Sequence, residues 1–122
     1  MPLAPWLNVR HSAEALAFYK SAFGATELFL LDSPDGVVAR LALEGSEFWL
    51  SEESPEHGNF SPATLTGSTV RLILTVDDPH ASFARAIAAG ATPLCPVKEE
   101  HGWLVGRIAD PYGHQWEIAR EL

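Results

Sequence analysis

An internal repeat constrains this chain more than any local propensity does. Val9-Arg10-His11-Ser12-Ala13-Glu14 leads through an amphipathic stretch to Gly24-Ala25-Thr26, and Val76-Asp77-Asp78-Pro79 leads through another to Gly90-Ala91-Thr92. Val9 precedes Gly24 by fifteen residues and Val76 precedes Gly90 by fourteen, so one indel superposes the two. Self-similarity of this kind means that one supersecondary unit is used twice.

Each copy carries a helix signal. The spacing predicts a helix over 12–23, with Ala15, Leu16, Tyr19 and Phe23 three or four apart, Ser12 as N-cap and Gly24 as stop. A second is predicted over 80–89, with Phe83, Ala84, Ile87 and Ala88 on one face, Asp78 as cap and Gly90 as stop. Apolar or β-branched runs bounded by turn residues predict strands over 5–10, 26–31, 37–43, 47–51, 69–76, 92–97, 104–108 and 114–119. Ser33-Pro34-Asp35-Gly36, Glu44-Gly45-Ser46 and Asp110-Pro111-Tyr112-Gly113 supply turns. Each half therefore reads strand, helix, strand, strand, strand. The expected fold is α+β, a single domain over 1–122 of two tandem βαβββ modules, 1–53 and 68–122. Residues 52–67, rich in Ser, Glu, Pro and Gly, have no period and form the connector, with 54–67 as the connecting loop.

A length of 122 residues and 47% hydrophobic content suffice for one core without disulfide or structural metal. Eight Lys and Arg against sixteen Asp and Glu leave a net charge of −8, which argues against nucleic acid and anionic membranes as partners and favours cationic or neutral ligands. Cys95 is the one cysteine, so no intrachain disulfide forms and a reducing, cytoplasmic setting is expected. Between Leu94 and Pro96 it reads as a buried, inert thiol. Neither a signal-peptide pattern nor a run of about twenty apolar residues is present.

Covalent chemistry finds little support. There is no Gly-x-Ser-x-Gly elbow, no phosphate-binding glycine pattern, and no His pair at zinc-site spacing among His11, His57, His80, His101 and His114. His57 with Glu53 and Glu56, or His101 with Glu99 and Glu100, offers at most weak surface metal binding. Four tryptophans need partners. Alternation places Trp116 in the core, whereas Trp6, Trp49 and Trp103 are candidates for contact with a planar ligand. The same alternation puts Trp6 and Asn8 on one face of the first strand, the side expected to share a cavity with Arg71, Ile73 and Thr75 and with Gln115 and Glu117.

Three motifs in order, Phe18-Tyr19 followed by Phe23-Gly24, then Val76-Asp77-Asp78, then Asp110-Pro111-Tyr112-Gly113-His114-Gln115-Trp116-Glu117, carry a family resemblance over nearly the whole chain. The sequence resembles the vicinal oxygen chelate superfamily of glyoxalase I, extradiol dioxygenases, fosfomycin resistance enzymes and bleomycin resistance proteins. The resemblance implies the glyoxalase/bleomycin resistance/dioxygenase fold and a homodimer with clefts at its interface. In metal-using members the first and last strands of a module supply the ligands. Here the first-strand position falls on Ala4, its counterpart in the second module on Arg71, the fourth-strand position on Leu50 or Ser51, and the last on Glu117. Only Glu117 retains a ligand type, so Arg71 beside Glu117 is expected to take over the electrostatic role of a metal.

Two functions follow. In the first, a metal-free protein akin to the bleomycin resistance branch, an antibiotic resistance type, sequesters a cationic or aromatic small molecule through Trp6, Asn8, Trp49, Arg71, Trp103 and Glu117, without cofactor. In the alternative, a glyoxalase I-like lyase or isomerase, or an extradiol-type dioxygenase, uses Zn, Ni, Mn or Fe with Glu117 as its catalytic residue or ligand.

Overall fold

The computed structural model describes all 122 residues. Strand β1 (Trp6–Val9) leads to helix α1 (Ser12–Phe23), then to strands β2 (Thr26–Ser33), β3 (Gly36–Leu43) and β4 (Ser46–Glu52). A 3-10 turn (Pro55–His57) and a one-turn helix α2 (Pro62–Leu65) occupy the connector, which contains more regular structure than its composition suggested. The second half repeats the first as β5 (Arg71–Thr75), α3 (Pro79–Ala89), β6 (Thr92–Glu100), β7 (Trp103–Ala109) and β8 (Gln115–Glu121).

The two four-stranded sheets have the same order, β1-β4-β3-β2 and β5-β8-β7-β6. In each, the first and last strands of the module run parallel and the other pairs run antiparallel. The chain is thus α+β, with two tandem βαβββ modules.

The two Gly-Ala-Thr triplets perform one job twice. Gly24 has φ 72 and Gly90 φ 123, backbone conformations that L side chains resist. The next residue turns its N–H back to the helix, Ala25 to the Tyr19 carbonyl at 3.3 Å and Ala91 to that of Ala86 at 3.0 Å. Both alanines are buried, and Thr26 and Thr92 open the next strands.

The core is continuous between the halves. Helix α1 packs against α3, and its fully buried Tyr19 lies 5.5 Å from Phe48 of β4 and 5.7 Å from Trp116 of β8, ring to ring. A Cβ added to Gly106 would come within 2.9 Å of Phe83 and 2.8 Å of Val97, so glycine lets α3 sit directly on β7.

Two local expectations are corrected. Ser12 does not cap α1: its hydroxyl accepts from the Val37 amide at 3.0 Å, and the Glu52 carboxylate accepts from the amides of His11 and Ser12 at 3.0 and 2.9 Å. Asp78 does cap α3, accepting from the Ala81 amide at 3.1 Å. Cys95 is exposed rather than buried, because β6 is an edge strand and Cys95 pairs with Arg107 on the face that no helix covers.

Candidate functional site

Strand register shows how duplication built two comparable faces. Trp6 pairs with Trp49 as Ile73 pairs with Glu117, and Arg40 pairs with Trp49 as Arg107 pairs with Glu117. On either side of these positions Phe48, Leu50, Trp116 and Ile118 point into the core. Trp49 is therefore the counterpart of Glu117. This corrects the assignment of the fourth-strand position to Leu50 or Ser51, since Leu50 is wholly buried on the opposite side of its strand.

The face of the first sheet is aromatic. Trp6 and Trp49 stack with ring centroids 5.2 Å apart and planes 4° from parallel. The Trp6 indole donates through Nε1 to Ser51 Oγ at 2.8 Å, which pins a ring that is 51% exposed. Phe29 lies 6.0 Å from Trp49, and the Arg40 guanidinium 5.6 Å from its centroid, within the range of a cation–π contact. Asn8 sits beside Trp6 on the rim of a cavity of about 390 Å³ next to Phe60 and Leu65 of the connector, and its carbonyl contacts His114 Nε2 at 2.9 Å.

The second sheet presents charge at the same place. Glu117 Oε1 accepts from Arg107 Nη2 at 3.0 Å and lies 3.6 Å from Arg71 Nε. The expected pair of Arg71 and Glu117 is present, but the shorter contact is to Arg107, a residue the sequence reading overlooked. The offset set by the two Gly-Ala-Thr triplets puts Arg40 opposite Gly106, one residue from Arg107, and strand register supplies the last step: Arg40 pairs with Trp49 as Arg107 pairs with Glu117. Trp103 opens β7 and joins Glu117 and Arg107 around a cavity of about 460 Å³.

The six expected ligand-contact residues fall into two sets. Trp6, Asn8 and Trp49 lie on the first sheet and Arg71, Trp103 and Glu117 on the second, and no hydrogen bond, ion pair or ring contact joins the sets within one chain. The single cavity expected to hold Trp6 and Asn8 with Arg71 and Glu117 is accordingly two faces, because β1 and β5 edge separate sheets.

The donor set does not fit a divalent metal. At the family's ligand positions stand a methyl (Ala4), an indole (Trp49), a guanidinium (Arg71) and one carboxylate (Glu117) that already faces two guanidiniums. No three His, Cys, Asp or Glu side chains cluster elsewhere, so His57 and His101 gather no ligand set with their neighbouring glutamates.

The Asp-Pro-Tyr-Gly motif has a structural task. Asp110, 4% exposed, accepts through Oδ2 from the Tyr19 hydroxyl at 2.5 Å and Trp116 Nε1 at 2.9 Å, and through Oδ1 from the amides of Tyr112 and His114 at 2.9 and 3.0 Å. It closes the turn into β8 and ties that turn to α1. Burial first, and then the adjacent Asp110 carboxylate, push the Tyr19 hydroxyl well above its ordinary pKa. Glu53 anchors the connector: it faces Arg10 at 2.8 Å and accepts from Thr64 and the Ser61 amide, bonds led by that from Arg10 which hold its carboxyl below the ordinary value.

No helix is long and apolar enough to cross a membrane. Residues 6–119 match the family model of the glyoxalase-like domain. An uncharacterised protein of Mycobacterium tuberculosis (strain ATCC 25618 / H37Rv) is 36% identical over 126 residues, spanning 98% of this chain and 74% of that protein. The crystal structure of a gene product from Arabidopsis thaliana superposes with a TM-score of 0.76 at 31% identity, covering 98% of both chains. That of TnmS3, an antibiotic binding protein from Streptomyces sp. CB03234, superposes with a TM-score of 0.74 at 20% identity, covering 100% of this chain and 97% of the other.

Proposed function

Because the chain belongs to the glyoxalase-like family of the vicinal oxygen chelate superfamily, we propose that it binds a small, flat aromatic molecule on the Trp6 and Trp49 face, without metal, in a cleft completed by a second copy. The observation that carries this reading is the exposed, pinned indole stack. A Trp with its N–H already satisfied and its ring fixed in orientation loses little freedom when a flat ligand covers it. Of the two ligand characters expected, cationic and aromatic, the geometry favours the aromatic. Arg40 stands beside the stack, 5.6 Å from the Trp49 ring and 3.4 Å from Glu47, so the charge next to the indoles is a paired one.

Two features support a second copy. The chain exposes 7261 Å², against roughly 6,450 Å² for a compact monomer of its mass. The excess is near the area each partner contributes to a standard interface, about 800 Å². Leu28, Phe29, Leu30 and Leu31 of β2 are 42–55% exposed as a run. An antibiotic binding protein of the same fold is a precedent for the class of ligand. The single thiol and absence of disulfides fit a cytoplasmic setting.

The test is a titration of tryptophan emission with acridone, a neutral planar probe. Saturable quenching is expected, weakened at least about tenfold in Trp49→Ala. No saturable quenching would remove the reading. After loading with Zn²⁺, Ni²⁺, Mn²⁺ or Fe²⁺ and dialysis, elemental analysis should find far less than one metal per chain, and stoichiometric retention would return the lyase and dioxygenase alternatives.

A further inference from the structure

Arg71, Arg107 and Gln115 line a polar depression of about 450 Å³ with the hydroxyl residues Ser68 and Thr69. Each guanidinium carries five N–H donors, and a single carboxylate cannot satisfy both. Arg71 turns Nε toward Glu117 and Arg107 turns Nη2, while Nε of Arg107 is buried without a hydrogen-bond partner. Glu117 is the one side chain paired with either guanidinium, so two positive charges face one negative charge. Glu100 lines the neighbouring cavity with Trp103, Arg107 and Glu117 but pairs with neither guanidinium, and Glu121 lies in register with Trp103. In a protein of net charge −8, these two guanidiniums carry one more charge than the carboxylate between them, and both line the depression.

We propose that this depression is an oxyanion site, which takes the carboxylate, phosphate or sulfonate group of a small organic ligand. Planar guanidinium forks match such groups bidentately, and bonds with charge on both partners are the strong ones. Glu117 orients the two guanidiniums and competes for the same donors. The inference rests on the small-molecule reading above, in which the second copy sets this face opposite its partner's Trp6 and Trp49 face, and it supplies the chemical class of the ligand's polar group.

Two measurements on the full chain test it, calorimetric titration and the side-chain Nε–H resonances of Arg71 and Arg107, with benzoate, phenyl phosphate, benzyl alcohol and benzylammonium as probes. Benzoate or phenyl phosphate should shift both arginine resonances and bind at least about tenfold more tightly than benzyl alcohol, with benzylammonium weakest. Whichever anion binds more tightly identifies the headgroup. Glu117→Gln should strengthen benzoate binding by removing the competing charge, whereas Arg71→Met and Arg107→Met should each abolish the preference for the anion. Anions no tighter than benzyl alcohol, or benzoate weakened by Glu117→Gln, would overturn the site. Acridone quenching would then persist if the aromatic reading alone is correct.

Discussion

Removing the Asp110 carboxylate leaves four donors without their acceptor: the Tyr19 hydroxyl, Trp116 Nε1 and the amides of Tyr112 and His114. Each unsatisfied buried donor costs more than a hydrogen bond contributes, so Asp110→Ala should lower stability by about 4 kcal/mol and Tyr19→Phe by about 2 kcal/mol, read from urea unfolding. The alkaline limb checks the same contact. Burial foremost, then Asp110, holds the Tyr19 proton well above 10.0; burial, then Glu14 and Asp110, pushes Tyr112 up to about 12. The folded protein keeps protons that unfolded tyrosines release above pH 10.0, so stability is intact below that value and falls as pH rises toward 12. Tyr19→Phe should make that fall shallower. The motif around Asp110 is visible in the sequence as a string, and its membership in a family follows from that string. Its partner Tyr19 lies 91 residues away, a pairing that only the packed helix creates.

At the scale of elements, what is local is legible. Helix α1 spans the predicted residues and α3 begins one residue early, because apolar periodicity and the closing glycines act within a few turns. Capping across the chain is not. Glu52 serves the N-terminus of α1 from the end of β4, 40 residues from Ser12, and no spacing rule reaches that far. Burial raises the Glu52 carboxyl, but the hydrogen bonds from Ser12 and His11 outweigh it and leave the pKa below 4.5. A carboxyl depressed in the folded state contributes stability above its unfolded pKa and loses it as pH falls below 4.5. Glu52→Gln should cost about 1 kcal/mol at neutral pH, as loss of a cap does, and flatten the acid limb of the unfolding profile. Strand β6 outran its predicted end because Lys98, Glu99 and Glu100 pair with β7 across the turn at His101 and Gly102, which take φ 50 and 83. A charged segment carries no apolar alternation to announce that it is a strand.

Over the whole molecule, the duplicated architecture was legible and the placement of the candidate site was not. Alternation assigns a face to each strand, yet it cannot say that Trp6 and Arg71 belong to different sheets. The same duplication left the halves chemically unlike: the aligned positions hold indole in one sheet and carboxylate in the other. Light scattering should give about twice the chain mass of 13.3 kDa, and Leu31→Lys, a change at a 55% exposed position, should shift the protein toward the monomer while leaving its circular dichroism unchanged. A monomeric wild type would remove the second copy from the proposal.

The long edge strands also differ in what they offer a neighbouring chain. Pro93 and Pro96 interrupt β6, and each lacks the N–H that an incoming strand would need, whereas β2 contains no proline and presents its apolar run along an open border. Growth by strand addition requires two receptive borders, one to join and one to pass on. With β6 interrupted, β2 is the one long border suited to strand-to-strand contact, and a like border in a two-fold pair satisfies it, so the apolar run is covered by pairing and not left as an open template.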